Sequence, residues 1–277
     1  MIRQRLLVLA LAAVCVPVLV VAATAGAGPS RAQGDILQKI KSSGVMKVGI
    51  AVDPPLTFRT ASGNWESLVP SLDRALAKYL GVKLELVPTT FTTIVAGQLA
   101  GKYDFIGASL NATVERRKVL DFSIPFAYAG TSFLVKKNNS KHLNRLADLN
   151  NSDVTVTFVT GSSDDENSRR ALPKAHDRGI PNATVVDLVS ELLARHADAL
   201  ATANILAPAL LKKYPDWKVI PADTSKGIYP VGISWAVPKG QPDLLNALNK
   251  FLRREYGNGA IARLKAKYFT VANSLKG

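Results

Sequence analysis

Arg116 stands two or three residues inside a helix that Thr113 can cap. The first turn of a helix carries the positive end of its dipole and is a poor place for a cation. An anionic partner repairs that mismatch, and a guanidinium grips a carboxylate through two parallel hydrogen bonds. The alternative is a solvated surface arginine beside Arg117. Ser109 ends an apolar run and Asn111 lies in the loop that follows. Open α/β sheets hold ligands there, beyond the carboxyl ends of their strands, although Ser and Asn are also common turn residues. Ser162 and Ser163 precede a second helix, whose unpaired N–H groups can bind an anion or be capped by a serine. Phe91 is either an aromatic wall of such a site or a core residue of its own helix.

These residues offer binding rather than bond-making. Asp53 is the one acid placed near them, and catalysis needs a positioned acid or base. His142, His176 and His196 are widely spaced, with no H-x-x-x-H pair for a metal, and no G-x-S-x-G elbow occurs. Cys15 is the only cysteine and falls in the apolar run 6–23. The rest of the chain therefore has no disulfide, thiolate nucleophile or cysteine-ligated metal. No metal, no cofactor and no enzymatic activity are expected.

The elements that must position these residues follow from periodicity. Residues 45–52 read as a strand, and Leu72, Ala75, Leu76, Tyr79 and Leu80 follow at helical spacing up to Gly81. Residues 82–87 form the next strand, Thr90 caps a helix to Ala100, and 105–109 form a third strand before the Thr113-capped helix. This β-α-β-α-β-α order predicts a mainly parallel sheet with helices on both faces. After a polar interval, 136–153, the pattern restarts with a strand at 154–159. Gly161-Ser162-Ser163 then leads into a helix whose first turn carries Asp164, Asp165 and Glu166, which suits its dipole. Segments 184–186, 188–195, 199–203 and 205–214 continue the alternation. Two apolar extended segments, 131–135 and 231–237, flank this second half. If the C-terminal helices pack on the first half, the chain crosses between halves twice, making a hinge and a cleft. A single continuous α/β domain is the alternative.

The 277 residues are 47% apolar and 20% charged, in the range of globular proteins. The start differs from the rest. Arg3 and Arg5 precede the apolar run, and small residues follow up to Ala32, so residues 1–32 are expected to be a secretory signal peptide. The formal charge of +14 raises the question of nucleic acid, but the lysines and arginines are scattered rather than gathered in one tract. No nucleic acid partner is expected, and the charge is assigned to solubility and to anionic surfaces or ligands.

Several segments taken in order resemble the polar amino-acid substrate-binding proteins of ABC importers. They are Val48-Gly49, Asp53-Pro54-Pro55-Leu56-Thr57-Phe58, Gly101-Lys102-Tyr103-Asp104 and Ala108-Ser109-Leu110-Asn111-Ala112-Thr113-Val114-Glu115-Arg116-Arg117. Asp121-Phe122-Ser123-Ile124-Pro125-Phe126, Gly161-Ser162-Ser163, Ala197-Asp198-Ala199 and 231–237 follow in register. The resemblance covers about 45–269. It implies a two-lobed periplasmic-binding-protein fold with two hinge crossings: residues 33–135 plus 232–277 as lobe 1, and 136–231 as lobe 2. It also implies a pocket in which Arg116 holds a ligand carboxylate and Ser109 offers backbone groups. Asn111 stands where a hydroxyl residue usually touches the ligand ammonium, Ser163 adds donors, and Phe91 forms a wall.

The sequence departs from the family in the ammonium half of that pocket. The usual second-lobe aspartate falls at Ala203, beside Asn204, and Val69 and Ser71 stand where acids are common. Asp53 sits near the place of an aromatic residue. The expectation is that Asp53 and Asn204 replace the usual pair, or that the ligand lacks a free α-ammonium. The resemblance implies a periplasmic, monomeric protein that captures a small polar carboxylate-bearing ligand of amino-acid type by lobe closure and delivers it to a membrane permease. A periplasmic dehydratase-like enzyme and a ligand-sensing adaptor are the alternatives.

Overall fold

A computed structural model of the protein describes residues 35–225 and 227–269. The signal peptide expected over residues 1–32 lies outside the described residues.

The first lobe begins with α1 (Ile36–Ser43), β1 (Val45–Ile50), the small hairpin β2 (Phe58–Arg59) and β3 (Trp65–Glu66), and α2 (Leu68–Leu80). It continues with β4 (Lys83–Pro88), α3 (Ile94–Leu99), β5 (Phe105–Asn111), α4 (Val114–Val119) and β6 (Leu120–Phe122). The long strand β7 (Ala127–Lys136) leads into the second lobe, made of α5 (Leu146–Leu149), β8 (Thr155–Val159), α6 (Ser163–Ala171), β9 (His176–Ile180), α7 (Val185–Leu193), β10 (Ala199–Ala203), α8 (Ala207–Lys213) and β11 (Trp217–Ile220). A second long strand, β12 (Ile228–Pro238), returns the chain to α9 (Pro242–Gly257) and α10 (Ala260–Tyr268).

Local chemistry sets many of these boundaries. Gly81 ends α2 in the left-handed conformation at φ 72°, and its N–H bonds the carbonyls of Ala77 and Lys78. Thr113 caps α4 through its hydroxyl, which accepts from the Arg116 N–H, and Ser162 caps α6 by accepting from Asp165 N–H. The helix expected from Thr90 starts at Ile94 instead. Residues 90–93 form a hydrogen-bonded turn in which Thr93 N and Ile94 N both donate to Thr90 O. The four threonines around Phe91, Thr89, Thr90, Thr92 and Thr93, make a poor helix start because β-branched side chains crowd the preceding turn. Residues 184–186 are not a strand. Thr184 caps α7 in a reciprocal box with Asp187.

One sheet runs through both lobes in the order β4-β1-β5-β12-β7-β10-β8-β9. β1 pairs parallel with β4 and β5, and β8 pairs parallel with β9 and β10. The pairs at the centre are antiparallel: β12 with β5 and β7, and β10 with β7. The two expected crossings are therefore β7 and β12. The first part of β7 pairs with β12 and its last part with β10 and β11. Period-two alternation splits each strand between faces. In β5, Ile106, Ala108 and Leu110 join one core while Phe105 joins another. In β7, Phe133 and Val135 face one second-lobe core and Leu134 the other.

The C-terminal helices pack on the first lobe, as the two-crossing reading requires. Leu244, Leu248, Phe251 and Leu252 of α9 share a core with Met46, Val48 and Leu72. Trp235 of β12 is its centre, fully buried and stacked on Phe251 at 5.9 Å, with Phe105 and Phe126 edge-on. Truncating such a ring to alanine costs about 3–5 kcal/mol.

Candidate functional site

The C-terminal ends of β1 and β5 meet the N-terminus of α6 at the junction of the lobes. Two small adjoining cavities lie there, of about 30 and about 50 Å³, each with room on the order of one or two water molecules. Asp53, Pro54, Phe91, Ser162, Asp164 and Ala203 line both. Ser109, Asn111, Arg116 and Ser163 line the first of them. Seven of the eight residues singled out in the sequence are thus brought together.

Arg116 is 8% exposed, so the surface-arginine reading does not apply. Its Nη1 donates to Asn111 O and its Nη2 to Gly161 O, each at 3.0 Å. The second bond spans the lobes. Burial lowers its pKa to about 10, and the nearby Glu166 and Asp164 offset part of that effect. The guanidinium remains charged at neutral pH, held by carbonyls, with no carboxylate within ion-pair distance among the described residues.

Asp53 lies in the tight turn after β1, where its N–H donates to Thr57 O at 2.8 Å and its carbonyl accepts from Leu56 and Thr57 N–H. The Ser109 hydroxyl donates to its Oδ2. Asp53 is half-buried and lines both cavities. The surrounding protein displaces enough water to push its carboxyl up to about 7; the Ser109 bond lowers it in part, and the charge of Asp164 raises it further.

Asp164 is the residue that sequence reading passed over as a dipole-complementing acid. It occupies the first turn of α6, and its Oδ1 accepts from the Thr131 hydroxyl at 2.5 Å, while Asn167 Nδ2 donates to that hydroxyl at 3.0 Å. Desolvation raises its pKa to about 6, opposed by the Thr131 bond and by Arg116. The available signal was three consecutive acids directly after Ser163.

Asn204 is absent from the walls of both cavities, contrary to the expectation that it joins the ligand pair. It is 3% exposed and turned toward the crossings: its Oδ1 accepts from Gly130 N–H at 2.9 Å and its Nδ2 donates to Thr224 O at 2.8 Å. Both ends of the amide are used on backbone. Among the described residues, no group of three His, Cys, Asp or Glu side chains is placed to hold a metal ion.

The lobes also touch beside this cluster. Thr92 Oγ1 donates to Thr160 O at 3.1 Å. Gly161, at φ +78°, lies so close that a Cβ would sit 2.9 Å from Thr92 Cα and 3.1 Å from Phe91 O.

This geometry joins one buried cation, two acids and a helix N-terminus in a cleft between two α/β lobes. Residues 46–271 match the bacterial extracellular solute-binding proteins, family 3, and the chain belongs to that family. It is similar to the L-cystine-binding protein TcyJ of Escherichia coli, 28% identical over 91% of this chain and 93% of that protein. It is 32% identical to the glutamine-binding protein of Geobacillus stearothermophilus over 71% of this chain and 75% of that one. The crystal structure of an ancestral amino acid-binding protein, described as a precursor of cyclohexadienyl dehydratase, superposes with a TM-score of 0.75 at 32% identity, covering 84% of this chain and 99% of that one. An enzyme also appears at greater distance: the cyclohexadienyl dehydratase of Pseudomonas aeruginosa is 26% identical over 67% of this chain and 69% of its own length. Among the described residues no helix is long and apolar enough to cross a membrane.

Proposed function

We propose that this protein captures an amino acid in the periplasm and delivers it to the permease of an ABC importer, without chemically changing it. The observation that carries the reading is the buried Arg116 guanidinium opposite two acids in one cleft. A zwitterion matches that arrangement, its carboxylate on Arg116 and its ammonium toward Asp53 and Asp164. Ser109, Asn111, Ser162 and Ser163 supply further polar contacts, and Phe91 closes one wall. The relatives named for cystine and glutamine binding support the amino-acid class. The lobes divide as residues 33–135 plus 232–277 and 136–231, and the protein acts as a monomer.

The cavities are too small for an amino acid. Entry therefore requires the lobes to part about β7 and β12, and ligand then favours the closed arrangement by its preference for it. The test is thermal unfolding of residues 33–277 against amino acids, amines, dipeptides and small organic acids. A ligand at about a hundred times its Kd adds about 2.7 kcal/mol, or roughly 5–10 °C in midpoint at this size. One amino acid giving that rise supports the reading; no shift with any amino acid contradicts it.

A dehydratase reading has one observation in its favour. The Asp53 carboxyl, at about 7, is in the range of a general acid and touches Ser109. Recovery of every bound carboxylic acid unchanged after prolonged incubation is the expected result, and steady turnover of any of them contradicts it.

A further inference from the structure

A cavity of about 240 Å³ lies in the second lobe, lined by Lys136 at the end of β7, by Leu192 and Arg195 at the end of α7, and by Ala197 and Asp198 before β10. β10 starts beside it at Ala199 and ends at Ala203 in the cleft, so a strand's length of roughly 13 Å separates the two sites. Two of the lining residues are cations where other residue types are expected. Strand alternation puts Lys136 on the face of Leu134, which packs with Leu192 and Trp217. An apolar residue would extend that core, and a half-buried lysine stands there instead. Arg195 closes the end of α7 at φ 62°. Glycine fills the same left-handed position after α1 and α2, as Gly44 at φ 67° and Gly81 at φ 72°. An arginine there bears the strain of an L side chain in this conformation. Neither cation has a carboxylate within 4 Å among the described residues. The one acid of the lining, Asp198, is already answered: its Oδ2 accepts from Lys141 Nζ at 2.7 Å and from Thr155 N–H at 2.9 Å. Leu192 and Ala197, 2% and 6% exposed, add apolar surface. The cavity thus offers two unanswered positive charges beside an apolar patch.

We propose that this cavity is a second binding site, separate from the cleft, for a small dicarboxylate. One carboxylate lies on the Arg195 guanidinium, which can grip it through two parallel hydrogen bonds. The other lies on the Lys136 ammonium, a compact point charge, and the short carbon chain between them covers Leu192 and Ala197. A bare dianion such as phosphate satisfies both charges and leaves the apolar patch uncovered. A monocarboxylate leaves one cation unanswered. The assignment does not rest on the amino-acid reading, because this cavity shares no lining residue with those of the cleft.

The experiment is isothermal titration with succinate, propionate and inorganic phosphate, on the parent protein and on Arg195→Gly, Lys136→Met and Arg116→Ala. Succinate is expected to bind at one saturable site. Propionate is expected to bind roughly tenfold more weakly for want of the second charge, and phosphate roughly tenfold more weakly for want of two methylenes. Succinate affinity is expected to fall roughly tenfold or more in Arg195→Gly and in Lys136→Met, and to persist in Arg116→Ala, whose change lies in the cleft. Arg195→Gly is expected to unfold at a midpoint no lower than the parent's, since glycine suits that backbone, so its loss of binding is not a loss of fold. Lys136→Met keeps most of the apolar stem and removes only the charge. Succinate bound equally well by Arg195→Gly and Lys136→Met, or no saturable succinate binding by the parent, overturns the site. Phosphate or propionate bound as tightly as succinate overturns the dicarboxylate class.

Discussion

The guanidinium of Arg116, from the first lobe, donates a 3.0 Å hydrogen bond to the carbonyl of Gly161, from the second. The residue expected to hold the ligand carboxylate is thus also a direct tie between lobes. Its partner is held in place by the Asp165 carboxylate, which accepts the Gly161 N–H at 2.9 Å.

Gly161→Ala is the substitution that tests this junction. The residue has φ +78° and no space for a Cβ against Thr92 and Phe91. Strain of this kind costs about 1–3 kcal/mol, and in the closed form the clash with the first lobe adds to it. Ligand affinity is expected to fall roughly tenfold or more, measured by calorimetry. Unchanged affinity would show that the two segments need not approach this closely when ligand is bound.

The acid pair sets a pH dependence of stability. Asp53 and Asp164 have folded-state pKa values of about 7 and about 6, above the ordinary 3.8. Between 3.8 and those values the folded protein holds protons that the unfolded chain has lost. Their contribution is therefore fully present below 3.8 and lost as pH rises through 6 and 7. Urea midpoints are expected to fall between pH near 5 and pH near 8 by an amount equivalent to about 1–3 kcal/mol, after allowance for the partial exposure of both groups. A protein carrying both Asp53→Asn and Asp164→Asn is expected to flatten that slope.

Asn204→Ala separates bracing from binding. The substitution leaves Gly130 N–H and Thr224 O without their amide partner beside a crossing strand. A cost of about 1–3 kcal/mol in unfolding free energy follows from groups left unsatisfied. Ligand selectivity is expected to stay as in the parent protein. A selectivity change with unchanged stability would return Asn204 to the ligand site.

Much of the fold was legible because its signals are local. Thr113 and Ser162 announced the starts of α4 and α6, Gly81 the end of α2, and apolar runs marked β1, β5, β7, β8 and β12. What escaped was either polar or non-local. β9 reads His176-Asp177-Arg178-Gly179-Ile180 and sits at the edge of the sheet, where no second partner demands apolar side chains. The gathering of Asp53, Ser109 and Arg116 was anticipated through family resemblance. The bond between Ser109 and Asp53, 56 positions apart, has no local signature. Asp164 was hidden by a sufficient local explanation, since an acid in a first turn already satisfies the dipole. Asn204 failed for the opposite reason: its neighbour Ala203 does line the cavities, and strand alternation continued into the following turn sends the next side chain elsewhere.

The most direct measurement compares the affinity of one bound amino acid in the parent protein with that in Arg116→Lys and Arg116→Ala. Lysine keeps the charge but not the planar fork that grips a carboxylate through two bonds. The expected result is a loss of roughly a hundredfold in Arg116→Lys and no measurable binding in Arg116→Ala, with both proteins still folded by their unfolding midpoints. Parent-like affinity in folded Arg116→Ala would contradict the placement of the ligand carboxylate and, with it, the assignment of this cleft as the binding site.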